Sequence, residues 1–232
     1  MALFFAATLF VSAFLLFLVQ PMVGKMVLPL LGGTPAVWST CMVFFQALLL
    51  AGYAYAHSAP KRFGLMRQSR LHLFVLALPL IAMAAMVLLT RAPVSPIRAL
   101  APQGTEYPFF GIIILLLVMI GLPFFVVATS APLLQSWFSK VGHRSSADPY
   151  FLYAASNLGS LLALVAYPAV IEPSLTLARQ AWLWAAGYLL LIVLTAGCAR
   201  RLWRARHGQP DEFGDKAKLT PRPALGSRRA PS

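Results

Sequence analysis

Acidic residues are scarce in this sequence: 6 Asp and Glu stand among 232 residues, against 19 Lys and Arg. Charged residues of both signs make up 11% of the chain, where a water-soluble domain carries about 25%. That shortage excludes a single soluble domain, and a 59% hydrophobic content excludes a disordered or fibrous chain. The acids (Glu106, Asp148, Glu172, Asp211, Glu212 and Asp215) all fall in connections or the tail. No carboxylate pair is therefore set up inside an apolar run for acid–base work. GxGxxG, GxxxxGK[ST] and HExxH are missing too, so nothing in the sequence cradles a nucleotide or activates water. On these grounds the chain reads as a non-enzyme without a cofactor or a metal. The 2 cysteines, Cys41 and Cys198, fall near opposite faces of a bilayer, far beyond disulfide reach of about 7 Å. The 4 histidines (His57, His72, His143 and His207) lack metal-ligand spacing and gather near one face, where snorkelling to the interface explains them.

Long apolar runs are what the chain has in abundance, and its mean hydropathy is +0.76. A helix needs roughly 20 apolar residues to cross the hydrocarbon core. Six runs meet that length: residues 3–23, 36–57, 71–90, 109–134, 150–171 and 181–199. Only helices and closed barrels span lipid, and the alternating ten-residue segments of a barrel are missing. The fold class predicted is an all-α integral membrane protein, a six-transmembrane-helix bundle over residues 1–199. A basic cytoplasmic tail over 200–232, rich in Pro, Gly, Arg and Lys, is expected to be disordered. Six crossings put both termini on one side. That side holds fifteen Lys and Arg: four in the second connection (Lys61, Arg62, Arg67, Arg70), two in the fourth (Lys140, Arg144) and nine in the tail. The other side holds four, Lys25, Arg91, Arg98 and Arg179, so the positive-inside rule places both ends in the cytoplasm. The basic excess is thus topology with a lipid-headgroup anchor, and nucleic acid is not an expected partner.

Turn chemistry supports these bounds. Thr34-Pro35 and Asp148-Pro149 each place a capping side chain before a first-turn proline. Pro21, Pro79, Pro123 and Pro168 predict kinks, and a helix break is expected near residues 20–24. Lys25 then sits at the outer interface.

The fifth run is sorted by chemistry. At 100° per residue, Ala155, Gly159 and Ala163 share one small-residue stripe suited to close helix contact. Ser156, Tyr167, Ser160, Tyr153 and Asn157 form a polar stripe beside it, while Phe151, Leu158, Leu161, Leu162 and Val165 should face lipid. The polar stripe serves either interhelical hydrogen bonding or the wall of a solute cavity, and the lack of a mid-span ionisable residue favours the former. Gln20, Lys25, Gln46, Tyr153, Ser156, Asn157, Ser160 and Tyr167 are the candidate substrate- or cavity-lining residues. Thr129, Ser130 and Gln135 are weaker polar candidates in the fourth run.

Three segments, FLVQPMVGKMVLPLLGGTPAVW, ATSAPLLQSWFSKVGH and DPYFLYAASNLGSLLALVAYPAVIEP, together resemble the N-terminal membrane region of bacterial fused major-facilitator/spermidine-synthase-like proteins. The resemblance spans residues 3–199 and implies a bundle like one half of a major-facilitator fold, in the bacterial inner membrane. It also implies a transporter-like unit that handles a small solute with a second copy or a partner. The Asp of the transporter loop motif is missing after the second run, and the acidic and Gly-rich residues of aminopropyl transfer are missing altogether. The alternative reading is a non-transporting anchor or regulatory subunit, a truncated relative serving a separate cytoplasmic enzyme.

Overall fold

The computed structural model describes residues 2–101, 108–140 and 150–207, which contain helices and no strand. Asp148, Glu106, Arg144, His143 and the tail from 208 lie outside the described residues. The long elements are α1 (Ala2–Val27), α2 (Pro35–Thr90), α3 (Pro108–Leu116), α4 (Leu122–Ser139), α5 (Tyr150–Ala166) and α7 (Leu177–His207). Residues Leu117–Gly121 join α3 to α4 as one π-helical turn, and Tyr167–Ile171 join α5 to the short α6 (Glu172–Ser174) in the same way. Counted as continuous helical segments, five are long and apolar enough to cross a membrane.

The second of these segments is a hairpin in disguise. A straight helix of 56 residues would measure about 84 Å. Gly64 interrupts it with φ 69° and ψ 164°, a region that only glycine enters freely. Contacts with α4 prove that the chain turns back there. On the arm over 35–63, the Phe45 ring packs tilted against Phe124 at 4.9 Å and Gly52 lies against Ala128. On the arm over 65–90, Gln68 bonds Trp137 and His72 approaches Ser130. Register rises with α4 on the first arm and falls on the second, so the arms are antiparallel. The expected connection over 58–70 is thereby corrected: both arms stay helical up to Gly64, carrying Lys61, Arg62, Arg67 and Arg70 on their ends.

The expected break in α1 is corrected too. Pro21 lies inside a helix that continues to Val27 and only then tightens into the 3₁₀ turn Leu28–Leu30. Proline removes a single N–H here, and Gln20 Nε2 donates to Leu16 O at 3.2 Å, adding a bond beside the gap. The predicted N-cap is present, with Thr34 Oγ1 accepting from Val37 N–H at 3.4 Å.

α1 and α4 sit at the centre. α1 runs against α4, with the Phe5 ring tilted against Phe138 at 5.3 Å and Ser12 Oγ donating to Val127 O. It runs alongside α5, where Gly159 meets the backbone of Phe10. α7 runs against α1 through Trp184 Nε1–H to Leu15 O (2.9 Å) and against the second arm of α2 through Tyr188 O–H to Leu76 O (2.8 Å). Lipid is as apolar as leucine, so such bonds and close small-residue contacts, rather than water exclusion, hold helices together. The fifth run behaves as its stripes foretold: Ala163 is buried, while Leu158, Leu161, Leu162 and Val165 are exposed. Phe151 is the exception, because its ring packs on Phe138 at 5.4 Å.

A Cβ at Gly159 would overlap the Phe10 carbonyl oxygen, which belongs to a helix backbone and cannot swing aside. At Gly197 the obstacle is the tip of the Phe4 ring, 2.7 Å away, which can. Gly159→Val is therefore expected to lose about 1–3 kcal/mol or more by overpacking, and Gly197→Ala distinctly less. Unfolding in mixed micelles followed by circular dichroism checks the order.

Candidate functional site

Four helices leave a gap where their small residues meet. Ala13 and Leu16 of α1, Ala128 and Ala131 of α4 and the Phe17 ring supply its apolar walls. Ser12 from α1, Tyr53 from the first arm of α2, and Ser156, Asn157 and Ser160 from α5 supply the polar ones. The resulting cavity has a volume of about 290 Å³, near the lower end of ligand-sized pockets. None of its lining side chains is charged. Ser160 Oγ donates to Ser156 O at 3.1 Å inside its own helix, which leaves its lone pairs free to accept. Ser12 Oγ likewise spends its proton on Val127 O at 3.5 Å. Tyr53, Ser156 and Asn157 hold the remaining donor capacity.

Three of the eight candidate residues, Ser156, Asn157 and Ser160, are thus brought together. The other five are not among the lining. Tyr167 lies in the apolar core, because it follows Gly159 and Ala163 at four-residue spacing and shares their contact face with α1. Its phenol oxygen is buried without a partner among the described residues. Tyr153 is 50% exposed on the flank of α5. Gln46 is exposed two turns from Tyr53, on the same face of the first α2 arm. Gln20 is half-buried and bonded within α1. Lys25 forms an ion pair with Glu172, both partly exposed, which ties the far end of α1 to α6. That pair agrees with an interfacial lysine, and its carboxylate partner lay hidden in sequence because the two are 147 residues apart.

Sequence reasoning missed Ser12 and Tyr53. Tyr53 had a signal, its seven-residue spacing from Gln46; Ser12 had none, being one hydroxyl in an apolar run. It also misplaced His72, expected at the interface. His72 is fully buried at the seam of α2, α4 and α7, edge-on to Trp137 at 5.7 Å and 3.4 Å from Ser130 Oγ. Beside it Trp137 Nε1–H donates to Gln68 Oε1 and Trp203 Nε1–H donates to Ser69 Oγ, each at 2.8 Å. Gln68 and His72 are one turn apart on the second arm, so one helix face delivers both to α4. This network closes the end of the bundle that holds the Gly64 turn. His57, by contrast, is exposed and bonds Lys61.

Two larger grooves, of about 440 and 460 Å³, are lined almost entirely by carbon and offer no side chain that would orient a solute. Among the described residues no cluster of His, Cys, Asp or Glu has the makings of a metal site. Comparison of the chain with protein-family models, with curated proteins and with solved structures finds no match.

Removing Gln68 Oε1 strands a buried Trp137 N–H in a medium without water. Gln68→Leu is expected to cost about 1–3 kcal/mol. Lys25→Met breaks only a part-exposed ion pair and is expected to cost less than about 1 kcal/mol. Parallel unfolding titrations of the two variants measure the difference.

Proposed function

We propose that this chain is a six-crossing membrane protein that forms one half of a transporter-like unit, with its polar cavity as the solute site and a second copy of the chain closing it. The observation that carries the reading is the cavity's open side. Tyr53 is 49% exposed, and Asn157 and Gln46 are exposed with it inside their apolar segments, with Tyr153 exposed one turn into α5. Amide and hydroxyl groups at that depth find no partner in lipid, whereas a facing bundle supplies one. Each arm of α2 counts as one crossing, with the turn at Gly64 beyond the hydrocarbon.

The packing plan supports the same reading. Exchanging α1 with α4, the first arm of α2 with α5, and the second arm with α7 maps each neighbour pair onto another. Gly52 against Ala128 becomes Gly159 against Phe10. Such exchange is the signature of nested three-plus-three inverted repeats, in which solute sites lie between two rocking halves. It accords with the resemblance to the membrane region of fused major-facilitator/spermidine-synthase-like proteins. Lys61, Arg62, Arg67, Arg70, Arg200, Arg201 and Arg204 gather at the end bearing the Gly64 turn, which supports a cytoplasmic position for that end under the positive-inside rule, in a bacterial inner membrane.

Single cysteines in a Cys41→Ser/Cys198→Ser background test this. Lys61→Cys is expected to react with an impermeant maleimide only from the cytoplasmic side, and Arg98→Cys only from the opposite one. Tyr53→Cys and Asn157→Cys should crosslink copy to copy under mild oxidation, while Leu161→Cys on the lipid face should not. Labelling of Lys61→Cys from outside sinks the topology; crosslinks confined to Leu161→Cys sink the arrangement of copies.

A further inference from the structure

We infer that the solute is small and uncharged, a molecule bearing several hydroxyl or amide groups over a carbon face; this rests on the transport reading above. Recognition of a charged solute needs a counter-charge once its water is stripped away. None is at hand. Ser12, Tyr53, Ser156, Asn157 and Ser160 are neutral, and no described acid or base lines the cavity. Among the described residues the sole carboxylate within the bundle is Glu172, and it is committed to Lys25. Lys25 itself lies eight residues beyond Phe17 on α1, about 12 Å along the axis. A second copy contributes the same neutral set from its described lining residues. The aromatic faces of Tyr53 and Phe17 attract a cation weakly, less than its lost hydration demands.

The neutral lining has a definite pattern. Ser12 and Ser160 direct their protons into backbone carbonyls, so toward the cavity they accept. Tyr53 and the Asn157 amide both donate and accept. Phe17 closes one side with carbon. A mixture of donors and acceptors beside apolar walls matches a polyol or a small sugar, whose hydroxyls do both jobs and whose ring or chain presents C–H groups.

Proteoliposomes holding the full chain test the inference with four labelled probes: D-xylose and myo-inositol as neutral polyols, putrescine as a cation and L-lactate as an anion. The expected result is polyol uptake at least fivefold above empty liposomes, reduced to near the empty-liposome level by Asn157→Leu, with putrescine and lactate at the empty-liposome level. Asn157→Asp, which places a carboxylate in the cavity, is expected to weaken polyol uptake and admit putrescine. Wild-type uptake of putrescine or lactate that Asn157→Leu abolishes overturns the solute class and leaves the transport reading standing. Uptake of no probe, or uptake equal in wild type and both variants, overturns the transport reading and this inference with it.

Discussion

Close approach of helix backbones at glycine is the interaction on which the rest of this structure depends. In lipid the apolar side chains gain little by leaving their surroundings, so contact must be made by fit. Gly159 lets α5 rest on the backbone of α1 at Phe10, and Gly52 lets the first arm of α2 rest on α4 at Ala128. These two seatings bring Ser156, Asn157 and Ser160 of α5 and Tyr53 of α2 to the same cavity beside α1. The cavity is the space left between small residues that pack tightly just beside it.

Polar side chains in the bundle fall into two populations with different fates. At the end bearing the Gly64 turn they are buried and only partly spent on one another: Gln68 Oε1 accepts from Trp137, Ser69 Oγ accepts from Trp203 and His72 Nε2 approaches Ser130, while Gln68 Nε2 and His72 Nδ1 are buried without a partner among the described residues. Midway along the segments they point into the cavity or outward and keep hydrogen-bonding capacity unspent. A half-unit designed to stand alone in lipid gains nothing from the second population. The contrast between a buried end and an exposed middle is what supports the proposed reading of the middle as the working surface.

Much of the fold was legible because lipid imposes simple rules. Run length located the long apolar helices, five of them long enough to cross a membrane among the described residues, and Thr34-Pro35 marked the start of α2. The stripes of α5 were sorted correctly for Ala163 and Gly159 and for the lipid-facing leucines. Errors arose where a residue's fate depends on a distant neighbour. Tyr167 was grouped with the serines by angle alone, yet it follows the contact stripe into the core. Pro21 looked like a break, yet the helix carries through with Gln20 beside it bonded to Leu16 O. His72 looked interfacial because its position along the run says nothing of Trp137 and Ser130, more than fifty residues later.

Periodicity and composition by themselves determined that this chain is helical and apolar enough for a membrane, and that α5 has a close-packing face, because those properties are local and repeat every turn. Tertiary structure alone decided which hydroxyls share a cavity, that Lys25 meets Glu172, and that His72 is sealed inside. Each of these depends on the rotation and register of helices far apart in the chain, and one residue of register turns a side chain by about 100° to a different neighbour.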